Sequence, residues 1–156
     1  MTTNYYSAKK YEVRKSIGHL VRAISTRLSA AVADLFEDQD LSFIQYVVLM
    51  HLRDGLVNTS AELCQNMCYD SGAITRVIDQ LEERGLLTRS RSTDDRRVIN
   101  LHITPLGLKT AESMLPEVVE LYNSWLTHFT LEEANTLIAL LTKLHTVITP
   151  NGKGKE

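Results

Sequence analysis

Arginine side chains in one short stretch are the residues best suited to chemistry in this sequence. From Arg84 to Arg97 there are five arginines and only two acidic residues, Asp94 and Asp95. Guanidinium groups form bidentate hydrogen bonds with phosphate and with the O6 and N7 acceptors of guanine. The stretch therefore favours binding to double-stranded DNA. The formal net charge of −2 does not oppose this, because exposed charges more than a Debye length apart are largely screened.

A helix that could read DNA is predicted just before this stretch. Apolar residues recur at helical spacing between Asp70, an N-cap residue, and Gly85, a residue typical of helix ends. Small residues in its first turn would let backbone N–H groups approach a phosphate, and Thr75 and Arg76 could reach base edges. The DNA contacts expected from this helix are Ser71, Gly72, Ala73, Thr75 and Arg76.

Two short strands are predicted next, at 86–92 and 97–103, joined by a polar turn. Arg97 would lie near the hairpin tip, where it could enter the minor groove, whose negative potential attracts arginine. Asp95 could hold that guanidinium through a bidentate pair. The contacts expected from the hairpin are Arg89, Arg91, Asp95, Arg96 and Arg97, although solvent exposure explains Arg89 and Arg91 nearly as well.

Helices are also predicted on both sides of this segment. A long first helix runs from about Lys10 to Phe36, a second follows the N-cap Ser42, and a short third begins at Thr59 or Ser60. A short helix, a tight turn, a second helix and a hairpin make a winged helix-turn-helix.

Two helices are predicted to close the chain. The first begins after Thr104, with Pro105 at the first helical position. The second follows Thr130, which forms a capping-box pattern with Glu133. Pro116 lies inside the first of them and should kink it.

The predicted fold class is mainly α with a small β-hairpin wing, a winged helix-turn-helix with flanking dimerisation helices. The segments are 1–37 for an N-terminal dimerisation helix, 38–103 for the DNA-binding lobe and 104–150 for the C-terminal dimerisation helices, within one compact domain. The terminal helices carry more apolar side chains than the small lobe could cover, so a homodimer is expected. Its recognition helices would read half-sites about one helical turn apart.

Other functional classes receive little support from the sequence. Cys64 and Cys68 are too few for a closed zinc site, and neither has a neighbouring basic residue that would favour a reactive thiolate. We find no nucleophile–base pair and no phosphate loop, so neither enzyme activity nor a metal or cofactor is expected. The chain lacks a long apolar run and a secretory signal pattern, which favours a cytoplasmic protein without a membrane partner.

The sequence resembles the MarR family of regulators. The resemblance covers about Leu41–Gly107 by motif, including Ile74-Thr75-Arg76 and Asp95-Arg96-Arg97 followed by Leu101 and Thr104-Pro105. It implies an obligate homodimer that binds pseudo-palindromic operators. It also implies a repressor, usually released by small aromatic or phenolic ligands or by thiol oxidation.

Two questions stay open at this stage. His19, Arg22 and Tyr46 could line an effector cleft where the dimer helices meet the DNA-binding lobe, although surface or packing roles explain them better. A winged-helix protein-interaction module without an operator is the alternative function. Arg76 on the reading face and the Asp-x-Arg pattern in the wing favour the DNA-binding reading.

Overall fold

The computed structural model describes residues 4–93, 95 and 97–148. Its main elements are α1 (Ile17–Phe36), α2 (Phe43–Arg53), α3 (Ser60–Met67), α4 (Ser71–Glu83), β1 (Leu87–Arg91), β2 (Ile99–Ile103), α5 (Pro105–Trp125) and α6 (Leu131–Ile148). Short 3-10 helices at Ala8–Lys10 and Val13–Lys15 precede them. The predicted fold class, mainly α with a hairpin wing, is confirmed. Within the described residues, no helix is both long and apolar enough to cross a membrane.

The first long helix begins later than predicted, at Ile17 instead of Lys10. Ser16 is the reason, because its hydroxyl accepts a hydrogen bond from the N–H of His19 and donates one to the carbonyl of Val13. Ser16 is only 3% exposed, so this cap is part of the packed structure. Apolar periodicity identifies the face of a helix, whereas the cap determines where the helix starts.

The helices of the helix-turn-helix begin where the sequence predicts. Ser42 and Gln45 form a capping box at the start of α2, and Thr59 and Glu62 form another at the start of α3. Helix α3 packs against α4, and α2 packs against both α4 and β2. These elements and β1 supply the largest fully buried side chains of this part of the molecule, among them Leu49, Leu63, Ile74, Ile78, Leu81 and Leu87.

The hairpin strands are antiparallel, with Leu87 opposite Ile103 and Arg91 opposite Ile99. Both strands are shorter at the tip than predicted, because the N–H of Val98 donates to the carbonyl of Asp95 within the turn. Gly85 has a φ of +69°, a left-handed conformation that lets the chain leave α4 and enter β1.

The chain divides into two compact units, Met1–Leu115 and Pro116–Glu156. Pro116 lies inside α5, as predicted, and is the first residue of the second unit. In that unit, Thr130 donates its backbone N–H and its hydroxyl to Glu133 at the start of α6. Those hydrogen bonds lower the pKa of Glu133. The three functional segments expected from the sequence, 1–37, 38–103 and 104–150, stay a prediction.

Gly107 provides a test of how the hairpin meets α5. A Cβ atom at this position would lie 1.9 Å from the carbonyl oxygen of Leu86, a clash with backbone that a rotamer change cannot relieve. We therefore expect Gly107→Ala to lower the free energy of unfolding by about 2 kcal/mol or more, as overpacked substitutions do. Chemical denaturation measures this.

Gly18→Ala is the matched control. No atom lies within 4 Å of a Cβ at Gly18, which is helical, so this variant should unfold at the same or a higher denaturant concentration. Equal stability of Gly107→Ala and the wild type would contradict the described packing.

Candidate nucleic-acid interface

The first turn of α4 is stabilised by Asp70. Its Oδ1 accepts hydrogen bonds from the N–H groups of Gly72 at 2.9 Å and Ala73 at 3.2 Å. The sequence predicts free N–H groups here that could meet a phosphate, and this prediction is wrong for Gly72 and Ala73. The Asp70 cap occupies them, so binding by this turn depends on its side chains.

Thr75 and Arg76 are exposed on α4, one turn inside the helix. The Thr75 hydroxyl donates to the carbonyl of Ser71 at 2.8 Å, which leaves its oxygen able to accept and its methyl group able to make apolar contacts. Asp79 lies three residues after Arg76, close enough on the helix surface for an ion pair between them. Asp79 instead pairs with Arg89, and no ion pair involves Arg76 among residues 4–93, 95 and 97–148.

Arg89 connects β1 to α4. Its guanidinium donates one hydrogen bond to Asp79 and one to Glu82, and its side chain is only 27% exposed. Partial burial disfavours the charged form, but the hydrogen bonds and charges of Asp79 and Glu82 outweigh it, so the pKa of Arg89 lies above its ordinary value. We name Arg89, Asp79 and Glu82 the Arg89 clamp. Arg89 thus has two carboxylate partners in place of the phosphate contact predicted from the sequence.

Asp95 does not hold the guanidinium of Arg97. Its Oδ1 accepts from the backbone N–H of Arg97 at 2.9 Å, and the described residues include no ion pair between the two side chains. An aspartate in a tight turn readily bonds the N–H two residues on, and here this bond takes precedence over the predicted bidentate pair. Asp95 thus shapes the backbone of the tip. Arg97 is exposed, and Arg96 lies outside the described residues.

Arg91 is also exposed, at the hairpin end of β1. Within the part of the chain that the structure describes, Arg91 and Arg97 form no ion pair, as is also true of Arg76. Helix α4 and the hairpin thus present guanidinium groups that can bind phosphates or base edges.

A polar network that the sequence did not predict fixes the other end of α4. Gln45 is 8% exposed, and its amide donates to Gln80 at 3.0 Å while its carbonyl oxygen accepts from Arg84. Arg84 also donates to the backbone carbonyl of Asp40 at 2.8 Å. The capping-box spacing of Ser42 and Gln45 was visible in the sequence, but the second role of Gln45 depends on how α2 crosses α4.

The three candidate effector residues do not come together. His19 and Arg22 line a shallow hollow of about 300 Å³ on α1, together with Ala23, Thr26 and Arg27. Tyr46 does not line it. Its side chain is 5% exposed and packs in an aromatic cluster, with its ring centroid 5.4 Å from that of Phe36. The prediction that Tyr46 shares a cleft with His19 and Arg22 is therefore wrong, because Tyr46 faces the aromatic core.

The two cysteines are free thiols. Cys64 is half-buried, and Cys68 is exposed in a left-handed conformation with φ of 53° at the end of α3. No group of three or more histidine, cysteine or acidic side chains that could hold a metal ion occurs among the described residues.

Comparisons with known proteins agree with this architecture. A model of the MarR family matches residues 41–99, which run from two residues before α2 to the first residue of β2. NicR of Pseudomonas putida, an HTH-type transcriptional repressor, is 31% identical over 106 residues, which are 68% of this chain and 67% of NicR.

Solved structures give the same result. BpsR of Bordetella bronchiseptica, whose DNA binding is regulated by 6-hydroxynicotinic acid, superposes with a TM-score of 0.75 at 28% identity over 86% of this chain and 96% of that chain. A mutant of MarR from E. coli in complex with operator DNA superposes with a TM-score of 0.70 at 25% identity over 82% of this chain and 92% of that chain. This chain belongs to the MarR family of transcriptional regulators.

Proposed function

We propose that this protein is a dimeric, sequence-specific DNA-binding repressor. The observation that carries the proposal is the surface of α4 and the hairpin, where exposed Arg76, Arg91 and Arg97 have no carboxylate partner within the described residues. The nearby carboxylates of Asp79 and Glu82 are neutralised by Arg89. Such a surface attracts DNA although the whole chain is slightly acidic.

Each part of the surface has a proposed task. Helix α4 enters the major groove, where Thr75 and Arg76 contact base edges and Ser71 contacts the backbone. Arg91 meets a phosphate, and Arg97 enters the minor groove. The operator complex of the E. coli MarR mutant supports this arrangement, because that protein shares the fold. We also propose that the protein acts in the cytoplasm, because an operator-binding repressor needs access to genomic DNA.

Dimerisation rests on apolar side chains at the protein surface. One face of α1 exposes five of them, each between 37% and 53% exposed: Ile17, Leu20, Val21, Ile24 and Leu28. Helix α6 exposes a second set: Ile138, Leu140, Leu141, Val147 and Ile148. Helix faces of this kind are stabilised when a second copy covers them, and a two-fold axis would then pair two recognition helices.

Selection of DNA from a random duplex library tests the proposal directly. We expect the full chain to enrich a pseudo-palindrome with half-sites about one helical turn apart, because a two-fold dimer presents two copies of α4. Light scattering of the free protein at micromolar concentration should give the mass of two chains.

The double variant Arg76→Gln/Arg97→Gln is the control and should enrich nothing under the same conditions. A wild-type protein that enriches no sequence would contradict the proposal and favour a protein-interaction module. Enrichment of single half-sites by a monomer would contradict the dimer.

Arg97 and Asp95 have separable roles at the hairpin tip. We expect Arg97→Ala to weaken binding to the selected duplex by about tenfold or more without unfolding the protein, because a minor-groove arginine is lost. Asp95→Ala should also weaken binding, whereas Asp95→Asn should bind nearly as the wild type does. Asparagine retains an oxygen that can accept from the N–H of residue 97. Mobility shift at fixed salt measures all three variants.

The contrast between alanine and asparagine at position 95 distinguishes two explanations. If Asp95→Asn loses as much affinity as Asp95→Ala, the charge of Asp95 matters and the backbone hydrogen bond does not explain its role. Unchanged binding by Arg97→Ala would exclude Arg97 from the interface.

A small aromatic acid is the effector that we propose. The hollow on α1 contains His19, Arg22 and Arg27 and no acidic side chain, so it suits a carboxylate. Regulation of BpsR by 6-hydroxynicotinic acid supports this class of ligand.

The proposed effector is tested by measuring whether it releases the protein from DNA. We expect at least one of a panel of monocyclic aromatic acids, with 6-hydroxynicotinic acid included, to displace the protein from the selected duplex. Arg22→Gln should blunt the response and leave DNA affinity unchanged, whereas Arg14→Gln, an exposed control outside the hollow, should respond normally. A panel without effect, or a full response of Arg22→Gln, would contradict the proposed effector site.

A further inference from the structure

We propose that Arg89 is a positioning residue of the DNA-binding surface, which binds Asp79 and thereby keeps Arg76 available to DNA. This inference rests on the proposed function. It assigns Arg89 no phosphate contact of its own.

Asp79 lies three residues after Arg76 on α4, so the two side chains share one face of the helix. An arginine and an aspartate at this spacing are neighbours on the helix surface, so their opposite charges attract each other. Such a pair would turn the Arg76 guanidinium along the helix and satisfy donors that otherwise reach a base. The structure instead directs the Asp79 carboxylate to Arg89.

The geometry explains why Asp79 pairs with Arg89 and not with Arg76. Arg89 reaches Asp79 and Glu82 together from β1, so two of its donors meet two carboxylates one turn apart. The guanidinium is a planar, pre-organised fork that is 27% exposed, so water screens it less than it screens the exposed guanidinium of Arg76. The competing pair would join two exposed side chains on one helix, an arrangement that contributes little.

Removal of Arg89 would therefore change the surface in two ways. Asp79 would become free to pair with Arg76, and Glu82 would add an unneutralised charge close to the DNA backbone. Both changes weaken binding through α4 and do not require that Arg89 touch DNA. A loss of this kind is reversible by a second substitution, whereas the loss of a phosphate contact is not.

A double-mutant cycle on the selected duplex tests the proposal. We expect Arg89→Gln to bind about tenfold more weakly than the wild type, a loss comparable to one wrong base pair. Asp79→Asn alone should bind as the wild type does. The combination Arg89→Gln/Asp79→Asn should recover to within about threefold of the wild type, which would be a clear coupling between the two sites.

The salt dependence of binding separates the two roles of an arginine. Arg91→Gln is the matched control on the same strand, and loss of its phosphate contact should reduce the slope of log affinity against log salt by about one. Arg89→Gln should leave that slope nearly unchanged. Two results would overturn the proposal. One is unchanged binding by Arg89→Gln. The other is weak binding by Arg89→Gln that Asp79→Asn does not restore, together with a salt slope reduced as it is in Arg91→Gln.

Because Arg89 also joins β1 to α4, thermal unfolding of every variant is measured. If Arg89→Gln does not fold, the triple variant Asp79→Asn/Glu82→Gln/Arg89→Met replaces it. It keeps the length of the aliphatic stem and leaves no unpaired charge in the Arg89 clamp. If this triple variant binds the selected duplex nearly as the wild type does, the result supports the proposal. If it no longer binds the duplex, the result overturns the proposal. A wild-type protein that selects no duplex would instead contradict the proposed function itself.

Discussion

Helix α4, whose first turns are proposed to read DNA, carries two carboxylates nearer its C-terminal end. The charge of the proposed DNA-binding surface depends on how these carboxylates are neutralised. Asp79 and Glu82 belong to α4, and the only cation that reaches both, among the described residues, is Arg89 of β1. The Arg89 clamp therefore joins two elements and fixes the local balance of charge. An ion pair in this place has electrostatic consequences for the surface beyond its own contribution to stability.

Neighbouring residues hold α4 at both of its ends. Asp70 caps the first turn, and Gln45 connects the last turn to α2 through Gln80 and Arg84. Beneath them, residues such as Ile74 and Leu81 are fully buried. Since capping, polar contacts and burial all fix the same helix, the exposed side chains of its outer face occupy defined positions. A surface that reads base edges needs this rigidity.

The parts of the fold that sequence could predict are those controlled by local rules. Asp70 and Thr130 begin helices because an N-cap acts on the next turn, and Gly85 ends one because it can adopt a positive φ. The partners of Arg89 were beyond such rules. They lie seven and ten residues away across the turn from α4 to β1, and the pairing depends on the angle between these elements.

The same distinction explains the errors at the candidate site. Asp95 could reach either the backbone or the side chain of Arg97, and spacing alone does not decide between them. Tyr46 was grouped with His19 and Arg22 because all three could reach one cleft, yet α2 directs Tyr46 into an aromatic cluster. Family membership, in contrast, was predictable, because the pattern from Leu41 to Gly107 combines cap, turn and wing residues whose spacing reflects one fold.

The central claim is that the outer face of α4 and the hairpin tip together form the DNA-binding surface. Its most direct test is an NMR titration, in which the selected duplex is added to isotope-labelled protein and the shifts of the backbone amide resonances are measured. We expect the large shifts to cluster at residues 71–76 and 91–98. Large shifts confined to α2 or α6, with these two segments unchanged, would contradict it.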